Sequence, residues 1–351
     1  SVHPAQQTEI RQTEGGQNQL SDSSNTDHES DAPPQQAPVF ASFAGMDLLG
    51  MGLKRTFKAA KCVGGSEWNN SARLLFQREH GFMPFSDHSY VPEYAYKHIF
   101  MVTSGAPCVA FSRAGKQGGQ SDKRGQYYVA QADDYIKAEV PVILFEQVRE
   151  AREVLAGDRV SRTLNKSPQQ QLVQKLEKAG YVVPKGPDGE AGILINAAKQ
   201  GSVLDRTRLF TLAVIKELYD KSMKDKVFQW PKDKAKNTRK ISDIFREPFD
   251  PSNIASQHMK EGFQEKEWET ETGVQYRYTK GQGIGEWYNP NTVICETGKG
   301  LSVTAMGNSR WIEFTDVDGV KRWRRLSGVE TGLAAGMKEF ELDRFQHLND
   351  Q

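Results

Sequence analysis

From residue 38 the chain alternates short apolar runs with stretches long enough for helices, and this alternation limits its fold more than any other feature. Val39-Phe40-Ala41-Ser42-Phe43 reads as a strand, and Ala44-Gly45-Met46-Asp47 as the turn into a helix reaching about Phe57. Lys61-Cys62-Val63-Gly64-Gly65-Ser66 repeats the pattern as a strand ending at Glu67, followed by a helix over about Asn70 to His80. His98 to Thr103, Val140 to Phe145, Ile193 to Ile195 and Leu209 to Ile215 read as further strands. Ser167-Pro168 is a helix start, with a capping hydroxyl and Pro at the first helical position. Leu172, Val173 and Leu176 then mark a buried face, and Gly180 ends that helix. Strands separated by helices predict an α/β fold: a doubly wound, mostly parallel, Rossmann-like sheet covered on both faces.

Open sheets of this kind build their sites at the C-terminal ends of the strands. Two chemically active side chains fall there. Cys108, in Ser104-Gly105-Ala106-Pro107-Cys108, lies on the loop leaving the strand that ends near Thr103. Glu146 lies at the end of the strand Val140 to Phe145. If the two strands are neighbours, a thiol and a carboxyl converge on one pocket, an arrangement suited to nucleophilic chemistry.

Composition narrows the class. The 351 residues are enough for one large or two modest domains with a real core. No apolar stretch approaches the ~20 residues of a membrane span, and no charged-then-apolar leader opens the chain. An intracellular protein is therefore expected. Three cysteines, Cys62, Cys108 and Cys295, lack metal-ligand spacing. They predict a reducing compartment, a free thiol and no metal site.

The net charge of +1 hides an uneven distribution. Residues 1–37 carry six acids and one base, a balance of −5, which leaves +6 on the rest. That polar segment has too few aliphatics to offset its ordering entropy and is predicted to be a disordered tail. Residues 38–224 form the main α/β body. Beyond it, Lys232, Lys234, Lys236, Arg239 and Lys240 concentrate positive charge, followed by aromatics and glycines with little periodicity. Residues 225–300 therefore read as a small loop-rich lobe, and 301–351 as a segment returning to the body. A second basic cluster, Lys321 to Arg325, contains Arg324. Two such clusters on an otherwise balanced body suit contacts to nucleic-acid phosphates.

The residues around Cys108 carry a family resemblance. Pro107-Cys108-Val109-Ala110-Phe111-Ser112, with Arg113 to Gly119 and Asp122-Lys123-Arg124-Gly125 behind it, resembles the catalytic loop of DNA (cytosine-5) methyltransferases. Phe43-Ala44-Gly45 resembles that family's S-adenosylmethionine loop, and Glu67-Trp68 its acid–aromatic pair for ribose and adenine. Glu146-Gln147-Val148 stands where the family has Glu-Asn-Val, Arg206-Thr207-Arg208 where it has Arg-x-Arg, and Arg325 to Glu330 resembles a late motif in looser form. The matches keep family order from about residue 38 to 340.

The resemblance implies methyl transfer from S-adenosylmethionine to carbon 5 of a flipped-out cytosine in duplex DNA, through a covalent Cys108 adduct. Glu146 would hydrogen-bond the ring, Arg208 would hold the base carbonyl, and Arg206 would order the site. Phe43, Gly45, Met46, Glu67, Trp68, Asp87, His88 and Pro107 would contact the cofactor. Ser112, Arg113 and Arg124, with Lys232, Lys234, Lys236, Arg239 and Arg324, would contact nucleic acid. Residues 225–300 become a target-recognition lobe, and the protein is expected to be a monomer without a metal.

Some positions depart from the family pattern. Asp47-Leu48 replaces a glycine pair, which puts bulk and negative charge into the cofactor loop. Gln147 replaces an Asn, Leu204 a Gln and Val329 an Arg. No closing Gln-x-Gly-Asn segment occurs before Gln351, so the family's C-terminal part reads as truncated. Two alternatives follow: the same chemistry on RNA, as in the family's tRNA-methylating branch, or an inactive nucleic-acid-binding relative.

Overall fold

The computed structural model describes residues 36–112, 117–234 and 239–245. Farther on it describes Phe263–Gln264, Tyr276–Thr279, Val293–Cys295, Gly300–Leu301, Trp311–Thr315, Gly319, Lys321–Arg324 and Glu330. The expected disordered tail lies outside these residues, apart from its last two positions.

The strands β1 (Ala37–Ser42), β2 (Ala60–Gly65), β3 (Met101–Ser104) and β4 (Val142–Gln147) form a parallel set in the spatial order β2-β1-β3-β4. Helices connect them: α1 (Leu48–Thr56), α2 (Asn70–His80) and α3 (Lys123–Lys137). The expected α2 matches the observed one. Asn69 caps it by accepting from the Ala72 N–H, and Gly81, at φ 81°, ends it in the left-handed conformation that glycine adopts without strain.

After α4 (Arg159–Leu164) comes α5 (Pro168–Lys178), which begins as expected. Ser167 and Gln170 form a reciprocal capping box with Pro168 at the first helical position. Then follow β5 (Tyr181–Val182), β6 (Ile193–Asn196), β7 (Leu204–Asp205), β8 (Thr207–Ile215) and α6 (Lys216–Ser222). The sheet is mostly parallel, as expected; among its described strands the exception is β8, which runs antiparallel to β4, β5 and β6. The segment 197–206 between β6 and β8 is shorter than the dozen or more residues a parallel crossover requires. The sheet is therefore mixed, parallel on one side and antiparallel where β8 enters.

The core lies between this sheet and its helices. Phe40, Tyr128, Tyr135, Phe145, Leu172 and Leu209 are almost fully buried in one cluster, each contributing about 1.5–3 kcal/mol of transfer free energy. Several polar groups bordering it are paired with one another. The Ser104 and Tyr135 hydroxyls donate to Gln131 Oε1, and Gln169 Nε2 donates to Thr211 Oγ1 at 2.8 Å. These bonds tie α3 to β3 and α5 to β8.

The strands β9 (Phe263–Gln264), β10 (Tyr276–Thr279), β11 (Val293–Cys295), β13 (Trp311–Thr315) and β14 (Lys321–Arg324) make a second sheet, ordered β14-β13-β11-β10-β9. β12 (Gly300–Leu301) pairs with β7. Because β11 pairs with β13, the second sheet crosses the lobe boundary expected at residue 300.

Candidate active site

The register of the sheet assembles the site. Ser104 lies opposite Phe145 at the C-terminal ends of β3 and β4, so the loops leaving both strands emerge side by side. The first loop carries Pro107-Cys108, and β4 itself carries Glu146 one residue beyond Phe145. Side chains alternate along β4: Phe145 and Gln147 are buried, whereas Glu146 is partly exposed. On β8, Phe210 lies opposite Glu146. Arg208, two residues before Phe210, therefore shares Glu146's face as a diagonal neighbour. Its Nε lies 3.0 Å from Glu146 Oε1, and Arg206 Nη2 lies 3.5 Å from the same oxygen. β8 begins at Thr207, two residues before the strand start expected at Leu209, so Arg208 stands on the strand, which fixes its direction.

Gly105 is where three parts of the site meet. A Cβ there would stand 3.5 Å from the Phe43 carbonyl oxygen and 4.0 Å from Glu146 Oε2, and the Gly105 N–H donates to the Ser42 carbonyl at 3.2 Å. Beyond it, the Cys108 carbonyl accepts from the Phe111 and Ser112 N–H groups, both at 2.9 Å, so the cysteine opens a tight turn. Cys108 is half-buried against the core. Burial pushes its thiol up, the Arg208 charge pulls it down, Glu146 raises it again and Arg206 lowers it. All four groups thus share one electrostatic neighbourhood. Burial, and next to it Arg208, holds the Arg206 guanidinium below its ordinary value.

Gln147 ties the loop after β3 to β4. Its buried amide donates from Nε2 to the Ala106 carbonyl at 3.2 Å and accepts the Val148 N–H at 2.9 Å through Oε1. It thereby pins the backbone immediately before Pro107-Cys108 to the end of β4.

The loop after β1 forms a second half. Phe43 has a φ of 52°, donates its N–H to Ser66 Oγ at 3.2 Å and packs its ring on His88 at a centroid distance of 4.4 Å. Glu67 is buried with its carboxylate divided: Oε2 accepts the Gly45 N–H at 2.8 Å, and Oε1 accepts the Asn69 N–H at 2.7 Å. Beside it Trp68 is 75% exposed, a large aromatic face left open next to a fixed carboxylate. Gly45, at φ 58°, has open space where a Cβ would project, and Met46 is half-buried. Asp87 caps the short turn His88–Tyr90, and bonds from Ser89 hold its carboxyl below the usual range. His88 is buried, which pushes its imidazole down to about 4.

Residues 39–337 match the C-5 cytosine-specific DNA methylase family. The chain belongs to it. It is 28% identical over 224 residues to the type II methyltransferase M.DsaV of Dactylococcopsis salina, covering 64% of this chain and 57% of that protein. With M.HpaII of Haemophilus parainfluenzae it shares 25% identity over 178 residues, 49% of this chain and 43% of that protein. The matches thus span about half the length of these relatives. Among solved structures, the Dnmt2 methyltransferase of S. pombe aligns over 87% of this chain and 88% of its own, with a TM-score of 0.55 and 14% identity. Entamoeba histolytica EhMeth aligns over 87% of each chain, with a TM-score of 0.59 and 12% identity. At such identities these two likenesses establish the α/β methyltransferase fold.

In this methylase-family chain the expected nucleic-acid residues fall into three groups. Ser112 is half-buried beside the Cys108 turn, and Arg124, at the start of α3, pairs with Asp122 at 2.7 Å. Lys232, Lys234 and Arg239 are exposed and lie beside segment 199–201: the Lys234 N–H donates to the Lys199 carbonyl at 2.9 Å, and Arg239 Nη1 reaches the Gly201 carbonyl at 3.4 Å. Arg324 belongs to β14, opposite Ile312. Arg113 and Lys236 lie outside the described residues. Among the described residues no helix is long and apolar enough to cross a membrane.

Sequence reasoning missed Asp158. Its fully buried carboxylate accepts from the Gln120 N–H at 3.0 Å, the Ser161 N–H at 3.1 Å and the Ser161 hydroxyl at 2.7 Å. It anchors the far end of the segment that starts at Cys108 to α4. No motif pointed to it; only the fold brings residues 120 and 158 together.

Proposed function

We propose that this chain methylates carbon 5 of a cytosine flipped out of duplex DNA, through a covalent Cys108 adduct. The observation carrying this reading is the Glu146 carboxylate, clamped by Arg208 at 3.0 Å beside the Pro107-Cys108 loop, in a chain of the C-5 cytosine-specific DNA methylase family. Residues 38–224 are read as the catalytic body. The region from 225, with its second sheet, is read as the recognition lobe, extended beyond 300 to include β13 and β14.

The loop after β1 fits S-adenosylmethionine. Glu67 is oriented by two backbone N–H groups, Trp68 offers an uncovered face, and Gly45 leaves room above the backbone. Asp47 does not block this loop. Its carboxylate turns back to the Gly50 N–H at 2.9 Å and to His80 Nε2 at 3.0 Å. Phe43, Gly45, Met46, Glu67, Trp68, Asp87, His88 and Pro107 are the residues assigned to hold the cofactor. When bound, it supplies a methyl group activated by a positively charged sulfur.

Within this reading the thiolate of Cys108 adds to carbon 6 of the ring, which makes carbon 5 nucleophilic. Glu146 hydrogen-bonds the ring edge and Arg208 the base carbonyl, so that charge developing on addition is neutralised. After carbon 5 is methylated its proton leaves to a base, the carbon–sulfur bond breaks and the thiolate is restored. The target base cannot reach this pocket while stacked in a duplex, so it must be flipped out.

Duplex DNA carrying 5-fluorocytosine at the target tests the covalent step, because fluorine cannot depart as a proton does. The protein should form a heat- and detergent-stable adduct that requires S-adenosylmethionine, and Cys108→Ala should form none. Methyl transfer by Cys108→Ala at the wild-type rate would overturn the assignment. Tritiated-methyl transfer to tRNA but not to DNA would move the chemistry to RNA.

A further inference from the structure

Asp47, Cys62 and His80 are far apart in sequence but meet in the fold. Asp47 caps α1, Cys62 lies in β2 and His80 is the last residue of α2. Asp47 is 2% exposed and the His80 side chain 9%, so the carboxylate and the imidazole are withdrawn from water. Asp47 Oδ1 is satisfied by the Gly50 N–H. Asp47 Oδ2 and His80 Nε2 stand 3.0 Å apart, yet neither makes an aligned hydrogen bond. Two buried polar atoms therefore face each other without the geometry that would pair them, a costly arrangement unless another group joins them.

The third corner is sulfur. One ligand atom from each of Asp47, Cys62 and His80 lies within 4.8 Å of the other two. Three atoms all within 4.8 Å of one another leave a point no more than about 2.8 Å from each. Zinc bonds to nitrogen, oxygen and sulfur run ~2.0–2.3 Å, so closure needs a shift of roughly half an ångström. The mixed donor set decides the ion. Calcium and magnesium prefer oxygen alone, whereas imidazole, carboxylate and thiolate together suit zinc. Gly50 supports the arrangement, since a Cβ there would fall 2.2 Å from Asp47 Oδ2.

We propose that Asp47, Cys62 and His80 bind one zinc(II) ion, with water in the fourth position. Binding transfers the Cys62 thiol proton to solvent and forms a zinc–sulfur bond with no change of oxidation state. The ion cross-links the start of α1, the edge strand β2 and the end of α2, and so braces the turn at 43–47. The absence of metal-ligand spacing in the sequence does not argue against it, because the ligands come from three separate elements. This proposal stands independently of the methyl-transfer reading.

The test uses the untagged full-length chain, stripped with chelator and kept reduced with a phosphine. It is titrated with zinc sulfate in a calorimeter and with cobalt(II) in a spectrophotometer. One equivalent of zinc should bind, and the cobalt form should show a thiolate-to-metal charge-transfer band in the near ultraviolet. Cys62→Ser should lose that band. Cys62→Ser, His80→Gln and Asp47→Asn should each weaken zinc binding by at least the roughly 10–100-fold that loss of even a supporting group costs. Far-ultraviolet circular dichroism checks that each variant folds. Cys108→Ser should keep the band and the affinity. No zinc binding by the stripped wild-type chain would overturn the proposal and leave Asp47–His80 as an ion pair only. So would wild-type affinity in both Cys62→Ser and His80→Gln, or loss of the band in Cys108→Ser.

Discussion

Replacing Gln147 by Leu should loosen the catalytic loop in a measurable way. Gln147 is fully buried, and the two groups it bonds belong to Ala106 and Val148, which are 3% and 6% exposed. Leucine nearly preserves the volume, so the cavity contribution is small and the loss of hydrogen bonding dominates. Each buried polar group deprived of its partner costs about 1–3 kcal/mol, and two such groups give a destabilisation of about 3 kcal/mol. For a chain of 351 residues, with an unfolding entropy of about 2.1 cal/mol/K per residue, that corresponds to a fall in melting temperature of about 4 °C. Gln147→Asn keeps the amide but is one methylene shorter. It can serve only one of the two partners, so its loss should be roughly half as large. The Ala106 carbonyl sits two residues before Cys108, so both variants should also lower kcat for methyl transfer. KM for DNA should change little, because phosphate contacts dominate affinity. Differential scanning calorimetry and steady-state kinetics read these effects. A Leu variant that melts within about 1 °C of wild type and turns over equally fast would falsify the idea that this amide holds the loop.

Gly119→Ala should be strongly destabilising, since φ is 52° there and an added Cβ would fall 2.1 Å from Asp158 Oδ2; a thermal melt equal to wild type would contradict this. Burial holds His88 down at about 4 against an ordinary 6.5, so the unfolded chain takes up a proton first and stability is lost as pH falls from 6.5 to 4. The loss should reach about 3 kcal/mol, offset in part by Asp134, whose carboxyl burial raises and which lies 3.7 Å away; His88→Phe should flatten the profile in urea titrations across that window. Trp68→Ala should weaken S-adenosylmethionine binding in calorimetry while leaving the melting temperature unchanged, because the side chain is 75% exposed. Glu146→Gln should slow methyl transfer yet speed alkylation of Cys108 by iodoacetamide. It removes the negative charge that raises the thiol and leaves the Arg208 and Arg206 charges that lower it; slower alkylation than wild type would refute this electrostatic reading.

Much of the body was legible because its signals are local. Asn69 and Gly81 bracket α2, Ser167 and Pro168 start α5, and the apolar runs of β1, β3 and β4 have the length of buried strands. The direction of β8 was not legible, since a strand's composition does not encode which way it runs. That follows from the connection 197–206, too short to cross the sheet. The pairing of Arg208 with Glu146 has the same origin. Both residues could be singled out from their motifs, but their contact depends on an antiparallel register that sets Phe210 opposite Glu146.

The departures from the family pattern show a different limit. Read along the sequence, Asp47 puts bulk and charge into the expected cofactor loop, and Gln147 stands where the family pattern has the shorter Asn. In the fold each is absorbed by partners the sequence does not mark. Asp47 turns its carboxylate onto the Gly50 N–H and toward His80, at the far end of α2. Glycine at position 50 leaves room for this, because a Cβ there would displace that carboxylate. Gln147 uses its extra methylene to span from Ala106 to its own neighbour Val148. In both cases the longer side chain makes contacts that a shorter one could not reach, and those contacts fix the backbone of the adjoining loop. A substitution inside a motif is therefore better judged by whether its atoms find partners than by its distance from a consensus. By that criterion both loops of this site are held in place rather than decayed.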